Sequence, residues 1–187
     1  MKKYSLLFLI SAALLSCNPK QEDAAKQETA ATDTVNIAAR LKELNIELTT
    51  PKPPTANFVK TVRVGNLVYT SGHGPDRAEG GPMTGRVGDD LTLEQGQEAA
   101  RLTGVALLSS LQAEIGDLNK VKRVVKVLGM VQCTPEFKDQ PKVMNAFSDM
   151  IVAVFGEKGK HARSAVGFSA LPGNIAIEIE MIVEVED

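Results

Sequence analysis

The stretch that decides the fold is KHARSAVGFSALPGNIAIEIEMIVEVED, from Lys160 to Asp187. From Ile175 onwards its residues alternate in polarity, so that Glu178, Glu180 and Glu184 fall on the side opposite to an apolar row. The apolar row consists of Ile175, Ile177, Ile179, Met181, Val183 and Val185. Successive side chains of a β-strand point to opposite faces, so this period of two predicts a strand with one buried face.

A shorter β-like run precedes this strand, from Arg163 to Phe168, and a turn-forming sequence from Leu171 to Asn174 lies between the two. We therefore expect the two strands to form a hairpin. In such a hairpin the guanidinium of Arg163 would lie on the strand next to the carboxylates of Glu178 and Glu180. That charged cluster is the first candidate for a functional site.

The composition is that of an ordinary globular chain. Its 187 residues are enough for one core-bearing domain with an appendage, and 43% of them are apolar and 24% charged. The formal net charge of -2 offers no general attraction to nucleic acid. With no Trp, two Tyr and six Phe, few rings are available for stacking on bases. We therefore expect no nucleic-acid partner.

Residues 1–17 have the features of an export signal. Lys2 and Lys3 form a positive start, the run from Leu6 to Leu15 is apolar, and Cys17 follows a small residue. The run is too short for a membrane-spanning helix, which needs roughly 20 residues. The pattern is typical of a bacterial lipoprotein signal with Cys17 as the acylated residue, and an ordinary signal peptide is the alternative. We expect an exported lipoprotein, anchored by its lipid to a membrane of the cell envelope or periplasm.

Residues 18–35 are rich in Ala, Gln, Glu, Lys and Thr and have no apolar periodicity. Such a segment cannot bury enough surface to offset its ordering entropy, so we expect a disordered tether. The folded domain is then expected over residues 36–187. If Cys17 is acylated, Cys133 is the only cysteine left, and no disulfide within the chain is expected.

Neither a metal site nor a phosphate loop is expected. His73 and His161 are the two histidines, and without a Cys or carboxylate at ligand spacing they make a poor zinc site. The glycines from Gly72 to Gly88 lack the Lys and Ser/Thr of a P-loop. Cys133 stands at the end of a β-like run, where a small buried hydrophobe is commoner than a nucleophile.

The remaining elements follow from periodicity and from turn and cap signals. In order, we predict a short helix Asn36–Leu44, a β-hairpin of Val59–Val64 and Leu67–Ser71, a loop Gly72–Asp90, a helix from the capping residue Thr92 to Gly116, a strand Val121–Cys133 and a helix Phe137–Phe155. Together with the C-terminal strands this is the order β-β-α-β-α-β-β. It predicts a two-layer α+β domain, a single mixed sheet with two helices on one face. The other face, with its glutamates, is expected to meet solvent or another subunit.

Five short motifs in this order resemble the Rid (RidA/YjgF-like) family. They are TSG at Thr70–Gly72, Asn145, ARSAV at Ala162–Val166, LP at Leu171–Pro172 and IEIE at Ile177–Glu180. The resemblance covers about Phe58 to Asp187, so the chain looks like a lipoprotein-anchored, N-terminally extended form of the family. It implies a homotrimer with clefts between adjacent subunits. It also implies hydrolysis of reactive enamines and imines of amino acids to 2-keto acids and ammonia, without a cofactor.

The same resemblance assigns roles to individual residues. Arg163 matches the arginine that binds the substrate carboxylate, a task that suits the fork of a guanidinium. Glu178 matches the glutamate that orients or activates the attacking water, which partial burial would favour by raising its pKa. Positions that line or support the cleft are Ser71, Gly72, Asn145 and, through its backbone, Ala165.

This chain departs from the family pattern at several positions. Phe58 stands where active members commonly have a tyrosine, so a hydroxyl is missing there. His161 replaces a proline, and Ala165 replaces a common cysteine. Arg163 and Glu178 are retained, so hydrolysis remains the first hypothesis.

Two other hypotheses remain open. The cleft of the same trimer could bind small carboxylate metabolites without turning them over, which Phe58 and the export signal favour. A ribonuclease activity, named for parts of the family, is disfavoured by the acidic charge balance. On spacing alone Arg163 could also be half of a surface ion pair, which contributes only about 0–1 kcal/mol.

Overall fold

The computed structural model describes residues 36–77 and 79–187. The expected signal peptide with Cys17 and the expected tether over residues 18–35 lie outside the described residues. Within the described part of the chain, no helix combines the length and the apolar character needed to cross a membrane.

Three helices and five strands form the domain. The helices are α1 (Ile37–Glu43), α2 (Leu93–Ile115) and α3 (Gln140–Phe155), and the strands are β1 (Thr61–Val64), β2 (Leu67–Thr70), β3 (Val121–Gln132), β4 (Ala162–Phe168) and β5 (Ile177–Val185). The α+β architecture with one mixed sheet is confirmed. The order of elements is also confirmed, with the short N-terminal helix in place.

The strands lie in the order β1-β2-β5-β3-β4, and this order corrects the expected C-terminal hairpin. Strand β4 pairs in parallel with β3, whereas β5 is antiparallel to both β2 and β3. The hairpin of β4 and β5 is therefore wrong, because β3 lies between them. Helix α3 returns the chain to the start of β3, and such a crossover makes the following strand parallel and places it at the edge.

Gln132, at the end of β3, holds the connection between β4 and β5. Its side chain is 2% exposed. Its Oε1 accepts a hydrogen bond from Leu171 N at 2.7 Å, and its Nε2 donates to Asn174 Oδ1 at 2.6 Å. Its backbone N donates to Ala176 O at 2.9 Å. The predicted turn thus wraps around the end of β3 and returns the chain on its other side.

Some element boundaries differ from the prediction for local reasons. Helix α3 begins at Gln140 rather than Phe137, because Phe137 N first donates to Thr134 O at 3.2 Å in a preceding turn. Strand β5 begins at Ile177 rather than Ile175, since a 3₁₀ turn comes just before it.

Helix α2 begins as its capping pattern predicted. Thr92 Oγ1 accepts from Gln95 N at 3.2 Å, and Gln95 Oε1 accepts from Thr92 N at 2.8 Å. Both bonds of a capping box are therefore present, and two backbone donors that the first turn leaves open are satisfied.

The helices pack closely on one face of the sheet, and two glycines permit the contact. A Cβ added at Gly104 of α2 would lie 2.2 Å from Met150 Cε, and one added at Gly129 of β3 would lie 2.2 Å from Met144 Sδ. Met144 and Met150 both belong to α3. The missing side chains at Gly104 and Gly129 therefore leave the space that Met150 and Met144 of α3 occupy.

The opposite side of the sheet, called the open face below, has no helix over it within the described residues. Strand pairing places on it Val62, Val64, Tyr69, Leu128, Met130, Val166 and Ile182, together with Glu178, Glu180 and Glu184. Val62 is 50% exposed and Val64 63% exposed. The glutamates were expected from the sequence, whereas the exposed apolar side chains around them become visible only from the strand pairing.

Candidate functional site

Arg163 lies on the edge strand β4 and points to the helix-covered face of the sheet. It stands opposite Val127, which is fully buried on that face. Its Nη1 donates to Asn145 Oδ1 at 3.1 Å and to Ser148 Oγ at 3.0 Å, both on α3. These bonds use both hydrogens of Nη1. Within the described residues the Nε and Nη2 hydrogens of Arg163 have no partner, so the guanidinium edge that binds a carboxylate with two parallel bonds is available.

His161 and Ser148 extend this network behind the arginine. Ser148 Oγ lies 3.1 Å from His161 Nε2, and His161 Nδ1 lies 2.7 Å from Gly159 O. Burial lowers the pKa of His161; the hydrogen bond to Gly159 opposes this shift, and the charge of Arg163 reinforces it. Its environment therefore favours the neutral imidazole over the charged one.

Asn145 and Ala165, two of the residues predicted to line or support the cleft, both lie near Arg163. Asn145 contacts Arg163 directly. Ala165 pairs with Gly129 on the helix-covered face and packs against the core, two residues along β4 from Arg163. Ser148 was not predicted. A signal for it existed, because residues three apart share a helix face and Ser148 follows Asn145 by that spacing.

Glu178 lies on the open face, opposite Met130 of β3. Burial raises the pKa of its carboxyl, and the neighbouring charge of Glu180 raises it further. Its side chain lies over Gly72, where an added Cβ would be 1.8 Å from Glu178 Oε1. Glu178 and Gly72 were both predicted site residues, and the structure brings them into contact.

Ser71 and Gly72 lie at a break in the pairing of β2 with β5. Tyr69 stands opposite Ile182, but His73 stands opposite Ile179, so one extra residue is inserted between these pairs. Such a bulge re-aims nearby side chains and is common beside active sites. Ser71 N donates to Lys60 O at 2.9 Å, which holds the bulge against the residue before β1.

Phe58 lies before β1, and its side chain is 51% exposed.

The predicted site residues fall into two groups within one chain. Arg163, Asn145 and Ala165 lie on or beside the helix-covered face, whereas Glu178 lies on the open face.

His73 occupies a second polar region, on the inner side of the bulge. Its Nδ1 lies 2.8 Å from Ser71 O and its Nε2 lies 2.7 Å from Ser110 Oγ. Burial lowers the pKa of this imidazole, and the charge of Lys60 contributes in the same direction. A cavity of about 300 Å³ lies between His73, the connector around Thr49 and helix α2.

The remaining candidates for metal binding or nucleophilic chemistry do not converge. Over residues 36–77 and 79–187, no three His, Cys, Asp or Glu side chains are grouped so that they could hold a metal ion. Cys133 is buried, as predicted, with its Sγ 3.4 Å from Gln140 Nε2.

Known proteins resemble this chain over most of its folded domain. The family model described as Endoribonuclease L-PSP matches residues 49–185. Protein TCP17 of Trypanosoma cruzi is 43% identical over 152 residues, which are 81% of this chain and 95% of that protein. A 2-iminobutanoate/2-iminopropanoate deaminase of Dermatophagoides farinae is 28% identical over 134 residues, 71% of this chain and 89% of that protein.

A solved structure is also similar. The crystal structure of a protein of unknown function from Agrobacterium tumefaciens superposes with a TM-score of 0.75 at 42% identity, covering 80% of this chain and 92% of that one. The similarity in sequence and in structure therefore extends over most of the folded domain.

Proposed function

Because the chain belongs to the Endoribonuclease L-PSP family, which is the YjgF/Rid family, we propose that it hydrolyses reactive imines and enamines of amino acids. The enamine first tautomerises to the imine. Water then adds to the imine carbon, forming a C–O bond and leaving an amine on the same carbon. Transfer of a proton to that nitrogen, cleavage of the C–N bond and loss of the proton of the new hydroxyl release ammonia and a 2-keto acid. No oxidant, metal or organic cofactor is needed to balance the reaction.

The hydrogen bonding of Arg163 is the observation that carries this proposal. Its Nη1 is tied to Asn145 and Ser148 at 3.1 and 3.0 Å, while no carboxylate of the described residues forms a salt bridge with it. A structural arginine at a sheet edge would usually pair with an acid or point into water. An arginine braced on one side and open on the Nε–Nη2 edge instead suits a carboxylate ligand.

Glu178 is proposed as the general base that takes a proton from the attacking water. The raised pKa of its carboxyl, caused first by burial and then by Glu180, makes it a better proton acceptor than an ordinary glutamate. Its protonated form can afterwards return the proton to the leaving nitrogen. The carboxylate lies against Gly72, in space that a Cβ at that position would occupy.

The two residues would meet between subunits of a homotrimer. Arg163 and Glu178 lie on opposite faces of one sheet, which supports a site whose carboxylate-binding edge and base come from different chains. The exposed apolar side chains of the open face, among them Val62 and Tyr69, favour burial against another copy.

The relatives support a small-molecule substrate in differing degrees. The Dermatophagoides farinae protein, at 28% identity, carries the name of an imine deaminase. The family description names a ribonuclease, but the net charge of -2 offers little attraction for RNA. We therefore place the imine substrate first.

Ammonia release from 2-aminoacrylate generated in situ tests the proposal. The purified protein should accelerate release, and Arg163→Ala should remove the acceleration. Arg63→Ala is the matched control, because Arg63 is an exposed arginine on the opposite edge strand β1 and faces the same side of the sheet. Loss of activity in both variants, or in neither, would contradict the role of Arg163.

A second candidate is a protein that binds small carboxylates without hydrolysing imines. Phe58 favours it, because the phenyl ring offers no hydroxyl to substrate or water where active relatives commonly have one. Thermal shift measurements with 2-keto acids and amino acids separate the two candidates. A ligand that raises the melting temperature, combined with no ammonia release from any imine, would favour binding alone.

We also propose that the protein is exported and anchored to a membrane through acylated Cys17. The export-signal pattern of residues 1–17 supports this assignment. Fractionation should find the protein with membranes, and Cys17→Ser should release it. An unchanged distribution of that variant would contradict lipid anchoring.

A further inference from the structure

His161 lies directly behind the arginine of the proposed site. Its Nε2 is 3.1 Å from Ser148 Oγ, and that oxygen accepts a hydrogen bond from Arg163 Nη1 at 3.0 Å. We propose that His161 is a positioning residue that acts through Ser148 to hold the guanidinium of Arg163 in the orientation that binds a carboxylate. This inference rests on the proposed function and deepens it, because it explains how the same site holds its substrate.

Gly159, His161, Ser148 and Arg163 are linked in this order by hydrogen bonds, called the hydrogen-bond chain below. The direction of every bond in it follows from its two ends. Gly159 O can only accept, so Nδ1 of His161, 2.7 Å away, must carry the hydrogen. Neutral His161 then has an unprotonated Nε2, which must accept the hydroxyl hydrogen of Ser148. The Ser148 oxygen is left with lone pairs for Arg163, whose guanidinium can only donate. All hydrogen bonds of the hydrogen-bond chain can therefore form in one direction only: Arg163 donates to Ser148, Ser148 to His161, and His161 to Gly159.

Packing holds Gly159 and His161, the end of the hydrogen-bond chain that is farthest from Arg163, in place. Gly159 fits tightly against α3, since an added Cβ there would lie 2.5 Å from Ile151 O. The ring of His161 meets the ring of Phe147 edge to face, with centroids 6.0 Å apart and planes at 72°. A long arginine side chain normally loses rotamer freedom when it binds a ligand. Here the Ser148 bond has already removed part of that freedom, which favours binding.

Protonation of His161 would reverse the direction of its hydrogen bond with Ser148. Nε2 would become a donor, so the Ser148 hydroxyl hydrogen would lose its acceptor. Among the described residues, the charge that acts on the imidazole of His161 is that of Arg163 on β4. Lys160 lines a shallow cavity together with His161 and Arg163. Lys160 is itself paired with Glu157, at 2.7 Å. An imidazolium would repel the guanidinium, so carboxylate affinity is expected to fall in acid.

Affinity for pyruvate, the 2-keto acid product expected from 2-aminoacrylate, measures this effect without catalysis. We would compare the dissociation constants of His161→Phe, His161→Gln and Ser148→Ala by calorimetry. His161→Phe keeps the ring contact with Phe147 but has no acceptor, and Ser148→Ala removes the middle of the chain. Each should weaken pyruvate binding about 3- to 10-fold, the usual effect of losing one such hydrogen bond. KM for the imine should rise by a similar factor, with kcat changed much less.

His161→Gln is the rescue variant, because its amide oxygen can accept from Ser148. It should bind pyruvate within about twofold of the unchanged protein. The double variant His161→Phe/Ser148→Ala should be no weaker than either single variant, since both break the same chain. Lys160→Gln is the charge control: it removes a neighbouring positive charge and should leave the hydrogen bonds among His161, Ser148 and Arg163 intact.

A pH series supplies a readout that a merely structural role would not move. Because the pKa of His161 is lowered from 6.5, the affinity of the unchanged protein for pyruvate should fall more steeply below pH 6.5 than that of His161→Gln, whose amide does not titrate. This comparison also serves if His161→Phe fails to fold. Equal affinities of Ser148→Ala and the unchanged protein, or equal pH slopes with His161→Gln, would overturn the inference. If the unchanged protein binds no carboxylate, the proposed function itself fails.

Discussion

Arg163 and Glu178 lie on opposite faces of the same sheet, on strands separated by β3. Arg163 pairs with Val127, which is buried under the helices, whereas Glu178 pairs with Met130 on the open face. Side chains of directly paired residues share a face, and neighbours along a strand alternate. Residues 127 and 130 differ by an odd number, so their partners must point to opposite sides. This placement favours the proposed site, in which the two side chains come from different chains.

Complementation between two inactive variants tests this arrangement. Arg163→Ala and Glu178→Gln chains should each be inactive alone. Co-expressed in equal amounts, they should recover about a quarter of the normal activity, because three in four random trimers are mixed and each mixed trimer has one intact site of three. Ammonia release from purified mixed trimers measures the recovery. No recovery despite verified mixing would contradict a site shared between subunits.

Gly72→Ala should inactivate the site with little loss of stability. The new Cβ would lie 1.8 Å from Glu178 Oε1, so the carboxylate must move away from its place. A displaced general base commonly lowers activity by about 10²-fold or more. Steady-state kinetics and thermal unfolding measure the two effects.

Gly74→Ala is the matched control for this substitution. Its Cβ would meet the flexible end of Ile175, at 3.1 Å, rather than a site residue. Activity near normal in Gly72→Ala, or an equal loss in both variants, would remove the proposed role of the Gly72 contact.

The acid limb of the rate profile should follow Glu178. Burial and the charge of Glu180 raise the pKa of Glu178 above its ordinary 4.5, so kcat/KM should decline with falling pH already above that value. Glu180→Gln removes the like charge and should move the limb to lower pH. Rate profiles of the two proteins on one substrate measure the shift. A limb that stays in place or moves upward would exclude Glu178 as the titrating base.

Stability should fall as pH is lowered through the titration of unfolded histidine, partly because of His73. Burial lowers the pKa of folded His73 below 6.5, the value of the unfolded chain. Between those two values the unfolded state binds more protons, so the free energy of unfolding falls with falling pH. For one group the slope is at most about 1.4 kcal/mol per pH unit.

Urea unfolding at several pH values measures this slope in the unchanged protein and in His73→Gln. The variant should show a smaller slope, since its amide cannot titrate. His161→Gln is the parallel control, because the pKa of His161 is also lowered by burial. A slope unaffected by His73→Gln would mean that the buried imidazole does not set the acid sensitivity.

The fold was predictable where local signals were strong. The capping box at Thr92, the glycine at position 116 and the alternation after Ile177 marked α2 and β5 without any tertiary information. The start of α3 was less predictable, because the turn at Thr134 and Phe137 competes with the first helical turn and only the folded chain decides between them.

The candidate site was predicted from the sequence as a set of residues, whereas their arrangement came only from the tertiary structure. Motif resemblance picked out Arg163, Glu178 and Gly72. It did not find Ser148, whose role arises only because α3 lies beside β4 and places its hydroxyl between Arg163 and His161. The hairpin expected for β4 and β5 was wrong for a related reason, since no local pattern shows that β3 inserts between them.

The sequence by itself determined which residues of β5 are buried, because side chains alternate with a period of two whatever the neighbouring strand is. It also determined the family, through short motifs in a fixed order. Only the tertiary structure decided which strands are neighbours, and hence that Arg163 and Glu178 point to opposite sides of the sheet. Strand pairing joins backbone groups that are alike in every residue except proline, so the order of strands depends on how the whole chain packs.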